Sequence, residues 1–156
     1  MVLYYTATSK TKVFACALAE LLTLPVQELK STLNQKSKFV FLCQSVYLGM
    51  FGKHYPVENM PSVSGAAEIY LCAPVWGGHV ASPGLYFLEK TDLKNIKVNL
   101  LLTCGSIASA EKYKKKAEEL LAKTECIPGA VYMFATGKKP TDKENALEQM
   151  REILPG

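Results

Sequence analysis

Two nearly continuous apolar runs of strand length limit the folds open to this chain most strongly. They cover residues 68–74 and 98–103. Runs of this kind are typical of strands buried on both faces, which occur in parallel sheets covered by helices. Shorter β-favouring segments at residues 2–5, 25–29 and 130–135 complete a set of five strands. The segments between them have helical periodicity, so the pattern predicts an α/β three-layer sandwich around a five-stranded parallel sheet.

The helices predicted between these strands have recognisable faces and starts. Apolar residues at i, i+3, i+4 and i+7 mark the first helix, and these residues are Phe14, Ala17, Leu18 and Leu21. Others are predicted around residues 39–50, 82–90, 113–121 and 144–154. The third of these five helices begins with Ser-Pro, and the last follows a segment, residues 141–144, with capping-box spacing. Without a repeat or linker, the 156 residues predict a single domain, residues 1–156.

Composition narrows the classes of function. The net charge is +4, but Arg151 is the only arginine, which argues against a nucleic-acid partner because base edges are usually read by Arg. No apolar stretch is long enough to predict a membrane span, and the start lacks a secretory pattern. Five cysteines, an odd number without a C-x-x-C pair, predict reduced thiols in a cytoplasmic protein without a metal site.

The first strand leads through a hydroxyl-rich turn into the first helix. This turn contains Thr6, Thr8, Ser9, Lys10 and Thr11. The first turn of a helix presents unpaired N–H groups and the positive end of the helix dipole, which together favour a bound phosphate. The hydroxyls add hydrogen bonds and the lysine adds charge. The alternative is that Ser and Thr only cap the helix.

Two later loops also follow central strands, where parallel α/β sheets bind their ligands. Residues 74–83 read Pro-Val-Trp-Gly-Gly-His-Val-Ala-Ser-Pro and place the only tryptophan, Trp76, beside two glycines. A planar ligand could stack on this ring. Residues 103–110 are small or polar except for Ile107, which would let backbone amides approach a ligand. A plain tight turn is the alternative for this third loop.

The chain resembles the flavodoxin-like family over essentially its whole length, and the three loops carry the resemblance. Thr6 to Thr11 are similar to the family's T/S-x-T-G-x-T phosphate loop, with Ser9 where Gly is usual. The resemblance implies a strand order of 2-1-3-4-5 and FMN as cofactor. By this resemblance, the FMN phosphate is bound by Thr6, Thr8, Ser9, Lys10 and Thr11. The isoalloxazine is lined by Pro74, Val75, Trp76, Gly77 and Gly78. Its pyrimidine side is covered by Thr103, Cys104, Gly105 and Ser106.

Two departures from the family pattern affect the expected function. A side chain at Ser9 is strained if this position needs a positive φ. The third loop lacks the aromatic residue that many flavodoxins stack on the flavin. His79 is either a group that hydrogen-bonds the flavin or a substrate, or a surface imidazole. Cys104 is either a residue near the flavin ring or a small packing residue, and the second is expected.

The resemblance implies an FMN protein that transfers electrons or oxidises and reduces a small molecule. NAD(P)H and quinones are the expected redox partners, and the oligomeric state stays open. The basic net charge favours a milder flavin potential than that of acidic electron shuttles. The alternative is a flavodoxin-like domain without cofactor that serves as a binding module. A phospho-receiver is disfavoured because neither of the two aspartates, Asp92 and Asp142, follows a central strand. A tyrosine phosphatase is excluded because the sequence contains no Cys-x5-Arg motif.

Overall fold

The computed structural model of the chain describes residues 1–31, 54–106, 108, 110–137 and 142–153. Strands and helices alternate along most of this part of the chain. In order they are β1 (Val2–Tyr4), α1 (Lys10–Leu21), β2 (Val26–Glu28), β3 (Glu68–Trp76), β4 (His79–Val80), α2 (Ser82–Lys90), β5 (Lys97–Cys104), α3 (Ala110–Lys123), β6 (Ile127–Ala135) and α4 (Lys143–Ile153).

The sheet has the order β2-β1-β3-β5-β6, and all four neighbouring pairs are parallel. This confirms the predicted five-stranded parallel sheet and its order. The short strand β4 was not predicted; it lies off this path and pairs antiparallel with the end of β3.

Alternate residues of the central strands feed two separate apolar cores, one on each face of the sheet. Leu71 and Leu100 pack in the core that α2 and α3 cover. Their chain neighbours Cys72 and Leu101 pack in the core that α1 and α4 cover. All four side chains have no exposed surface. Burial on both faces explains why these strands read as continuous apolar runs, and it confirms the three-layer arrangement.

Several element boundaries differ from the predicted ones. Strand β3 continues two residues beyond Pro74, and β6 begins three residues before Ala130. At the start of α4, Asp142 Oδ1 accepts a hydrogen bond of 2.8 Å from the Asn145 N–H. The predicted capping box also involves Thr141, which lies outside the described residues. Ser82 does not cap α2; its Oγ accepts a bond of 2.7 Å from the Tyr55 N–H. The helix predicted around residues 39–50 lies outside the described residues.

A buried asparagine links three strands near their amino ends, at the opposite end of the sheet from the predicted loops. Asn99 is 2% exposed; its Nδ2 donates to Glu68 Oε1 at 2.8 Å, and its Oδ1 accepts from the Ala130 N–H at 2.9 Å. A Cβ on Gly129 would lie 2.3 Å from Asn99 Oδ1, which explains the glycine. The register between β5 and β6 shifts at this point.

Asn99→Ala is expected to lower the free energy of unfolding by about 2 kcal/mol, because it leaves the Ala130 N–H without its acceptor. Urea unfolding measures this loss as a shift in midpoint. The control is Glu125→Ala, which removes an exposed ion pair of 3.4 Å with Lys94 and should change stability by less than about 0.5 kcal/mol. Equal shifts for both variants would contradict the role given to Asn99.

Candidate functional site at the carboxyl ends of the strands

The turn between β1 and α1 has the backbone shape expected of a glycine. Ser9, the residue before α1, has φ 62° and ψ −7°, which is the left-handed region. Its side chain makes no hydrogen bond to the first turn of the helix. The alternative that Ser9 merely caps α1 is therefore not supported, and the first-turn N–H groups receive no bond from it.

One hydroxyl of this turn is buried without a partner. Thr6 Oγ1 is shielded from solvent and makes no hydrogen bond within the described part of the chain. Buried polar atoms are almost always paired, so an exception of this kind points to a ligand. Thr8 and Ser9 are exposed, and Lys10 Nζ donates to the Gly137 carbonyl at 2.7 Å. The turn thus offers one buried and two exposed hydroxyls.

A buried hydroxyl pair joins the first loop to the third. Thr11 Oγ1 and Thr103 Oγ1 are 2.8 Å apart, and the two residues are 2% and 3% exposed. Thr11 lies at the start of α1 and Thr103 near the end of β5. Two of the three predicted loops therefore meet in the structure, although 92 positions separate these residues.

The second loop is a tight hairpin rather than an open loop. Val75 pairs with Val80 and Trp76 with His79, and the turn consists of Gly77 and Gly78 alone. Their φ angles are 57° and 82°. A two-residue turn that matches the twist of its strands needs positive φ at both positions, which explains the two glycines.

Trp76 is braced by an aromatic neighbour at the start of the first loop. Its ring meets that of Tyr5 edge to face, with centroids 5.5 Å apart and planes at 86°. Trp76 is partly buried against the core that α2 and α3 cover. The hairpin is thereby tied to the end of β1.

The second and third loops line a common cavity of about 350 Å³, here called the loop cleft. Six of the predicted residues line it, and these are Val75, Gly77, Gly78, Cys104, Gly105 and Ser106. Pro74 and Thr103 do not line it; they pair with each other in the sheet. Trp76 borders another cavity. Cys104 Sγ donates to the Ser106 carbonyl at 3.2 Å, and burial raises the pKa of this thiol. Cys104 is therefore an uncharged packing group.

Three residues of α3 that were not predicted as site residues also line the loop cleft: Lys112, Tyr113 and Lys116. Both lysines are exposed to solvent, and both also border the cleft. Lys112 directly precedes Tyr113 and Lys116 directly precedes Ala117, and both following residues face inward. This position beside inward residues was the sequence signal that the two lysines could border a cleft. Among the described residues that line the cleft there is no carboxylate.

His79 lies outside the loop cleft. It lines a second cavity that adjoins the loop cleft, and burial together with nearby Lys116 lowers the pKa of its imidazole. In the described ranges, no group of three or more His, Cys, Asp or Glu could hold a metal ion. Among the helices that the structure describes, none combines the length and apolarity needed to cross a bilayer.

Solved structures share this architecture at low sequence identity. A candidate flavoprotein from Bacteroides uniformis ATCC 8492 has a TM-score of 0.77 and 17% identity, over 97% of this chain and 96% of the other. A flavoprotein in complex with FMN from Lactobacillus acidophilus NCFM has a TM-score of 0.68 and 18% identity, over 85% and 90%. A flavodoxin from Streptococcus pneumoniae TIGR4 has a TM-score of 0.52 and 14% identity, over 98% and 94%. The chain has the flavodoxin-like fold. No protein-family model matches its sequence, and no curated protein matches it either.

The flavodoxin-like fold explains why these loops lie together. Its ligands bind beyond the carboxyl ends of the strands, where the chain passes from one face of the sheet to the other. Here that point lies between β1 and β3, with α1 on one face and α2 on the other. The first loop and the hairpin leave these two strands, and the third loop leaves β5 beside them.

Proposed function

We propose that this chain binds FMN at the three loops and works as a redox protein. The observation that carries the proposal is the buried, unpaired hydroxyl of Thr6 beside the uncapped start of α1. A phosphate monoester would supply the missing acceptor and face the first-turn N–H groups. Ser9 supports this role, because it adopts the backbone conformation that the glycine of the family's phosphate loop favours.

Each loop has a distinct part in the proposed site. Thr6, Thr8 and Ser9 would bind the phosphate, while the buried bond between Thr11 and Thr103 holds the first and third loops together. The loop cleft, between the hairpin and the third loop, would hold the isoalloxazine. Bound FMN would supply the electron or hydride transfer, and the protein supplies binding, orientation and charge.

The charges around the cleft favour a small-molecule oxidoreductase over a low-potential electron shuttle. Lys112 and Lys116 border the cleft and no described lining residue is acidic. Positive charge stabilises a reduced, anionic flavin and raises its potential. The third loop offers no aromatic cover, although Tyr113 reaches the cleft from α3. NAD(P)H as donor and a quinone as acceptor are therefore the partners to test.

Two contacts favour the alternative of a binding module without cofactor. Thr11 already pairs with Thr103, and the Lys10 ammonium is bonded to the Gly137 carbonyl. Both groups would have to share or exchange these bonds to reach a phosphate. Thr6 has no such competing bond within the described part of the chain, so we place this alternative second.

Protein saturated with FMN should oxidise NADH or NADPH in the presence of a soluble quinone. The loss of nicotinamide absorbance measures this reaction. Protein without FMN is the control. Turnover that needs FMN supports the oxidoreductase role. Binding of FMN without turnover on either nucleotide leaves electron transfer as the function, and failure to bind FMN supports the binding module.

The strained residue Ser9 yields a prediction about the first loop. Ser9→Val should destabilise the protein by about 1–2 kcal/mol, because a branched side chain is disfavoured at positive φ. Ser9→Gly should stay within about 1 kcal/mol of the parent, since relief of strain offsets the greater freedom of the unfolded chain. Urea unfolding without FMN measures both. The control is Thr8→Val, because Thr8 does not have a positive φ. A loss of stability in Thr8→Val as large as that in Ser9→Val would contradict the explanation.

A further inference from the structure

A second cavity adjoins the loop cleft at the hairpin, and the proposed FMN site does not occupy it. It measures about 340 Å³ and is bounded by the hairpin, α2 and α3; we call it the hairpin cavity. Its volume is at the lower end of the range for small-molecule sites, which suits a ligand of one or two rings.

The walls of the hairpin cavity are largely apolar and partly aromatic. The aliphatic side chains that line it include Val75, Val80, Leu85, Leu102 and Leu120. Trp76 and Tyr113 add two rings, and such walls favour a flat apolar body.

The polar groups of the cavity favour an anion. Lys116 lines it and forms no ion pair with a carboxylate of the described residues, and its Nζ lies 3.7 Å from where a Cβ on Gly78 would be. The lining residues that the structure describes include no Asp or Glu. Among the lining residues that the structure describes, an anionic ligand therefore meets one ammonium and no carboxylate.

A histidine supplies a second, independent sign of a ligand. His54 lines the hairpin cavity, and its Nδ1 is buried without a hydrogen-bond partner in the described ranges. Its other ring nitrogen is 3.9 Å from Glu89 Oε2. A polar atom of a bound molecule would satisfy the orphaned nitrogen.

We propose that the hairpin cavity binds a small aromatic carboxylate, with its ring between the apolar walls, its carboxylate at Lys116 and a polar ring substituent, such as a hydroxyl, at His54 Nδ1. The site does not depend on FMN, although it shares Val75, the hairpin tip, Tyr113 and Lys116 with the loop cleft. Binding can therefore be tested on the protein without cofactor, and failure of the FMN proposal leaves this one standing.

Isothermal titration calorimetry with 2-naphthoate is the test, and 2-naphthalenemethanol is the neutral probe of the same shape. Naphthoate should bind at least tenfold more tightly than the alcohol, because a charge-assisted bond is added. Lys116→Met should weaken naphthoate by about tenfold and leave the alcohol unchanged. Lys115→Met, on the exposed face of the same helix, should change neither.

Two further variants locate the probe. Leu85 lines the hairpin cavity and not the loop cleft, so Leu85→Phe should weaken naphthoate. Lys112 lines the loop cleft and not the hairpin cavity, so Lys112→Met should not. No heat with naphthoate up to millimolar concentration would overturn the proposal. Equal losses for Lys112→Met and Lys116→Met, or tighter binding of octanoate than of naphthoate, would overturn it as well.

Discussion

Thr6→Val is expected to weaken FMN binding by roughly ten- to a hundredfold, the value of a hydrogen bond to a charged group. The substitution keeps the shape of the side chain and removes only its hydroxyl. That hydroxyl is buried and has no partner in the described part of the chain, so its loss should not destabilise the protein without FMN. Riboflavin, which lacks the phosphate, should lose less than about twofold in affinity. Fluorescence titrations with both flavins measure the difference.

The matched control for this variant is Thr91→Val. Thr91 Oγ1 is also buried without a partner among the described residues, but it lies at the end of α2, away from the three loops. This change should leave both flavin affinities as they are. If Thr6→Val weakens FMN and riboflavin equally, or lowers the stability of the protein without FMN, the phosphate role of Thr6 is wrong.

Neutralising both cleft lysines, as Lys112→Gln with Lys116→Gln, should lower the two-electron midpoint potential of bound FMN by roughly 35 mV. We take each charge as about 10 Å from the ring at an effective dielectric of about 40, which gives roughly 0.8 kcal/mol per lysine. The sign follows because positive charge favours the reduced, anionic flavin. A dye-coupled reductive titration of the FMN-loaded protein measures the shift.

The control for the lysine variant has the same charge change on the same helix. Lys114→Gln with Lys115→Gln alters two residues that do not line the cleft, and it should shift the potential by less than half as much. Added salt should reduce both shifts, since exposed charges are screened. Equal shifts from the two pairs would show that net charge, and not the position of Lys112 and Lys116, sets the potential.

The fold could be predicted because its signals are local. Burial on both faces turns β3 and β5 into apolar runs, and helical periodicity fills the segments between strands. The strand order came from the resemblance in the three loops. The hairpin had its own signal, since Gly77-Gly78 between β-favouring residues is typical of a two-residue turn, but the segment was predicted only as a loop that follows a strand.

The contacts that build the site had no local signal. Thr11 and Thr103 are far apart in the chain, and only the folded sheet shows that their hydroxyls are bonded. The unpaired state of Thr6 depends on everything packed around it. Lys112 and Lys116 lie at the margin of the helix face, where periodicity alone does not separate a solvated side chain from one that borders a cleft.

Titration of the purified protein with FMN, followed by quenching of flavin fluorescence, tests the central claim most directly. We predict saturation at one FMN per chain, with riboflavin bound more weakly because it has no phosphate for the loop at Thr6. Absence of any quenching or absorbance change up to high micromolar FMN would contradict the account and leave the binding module as the function.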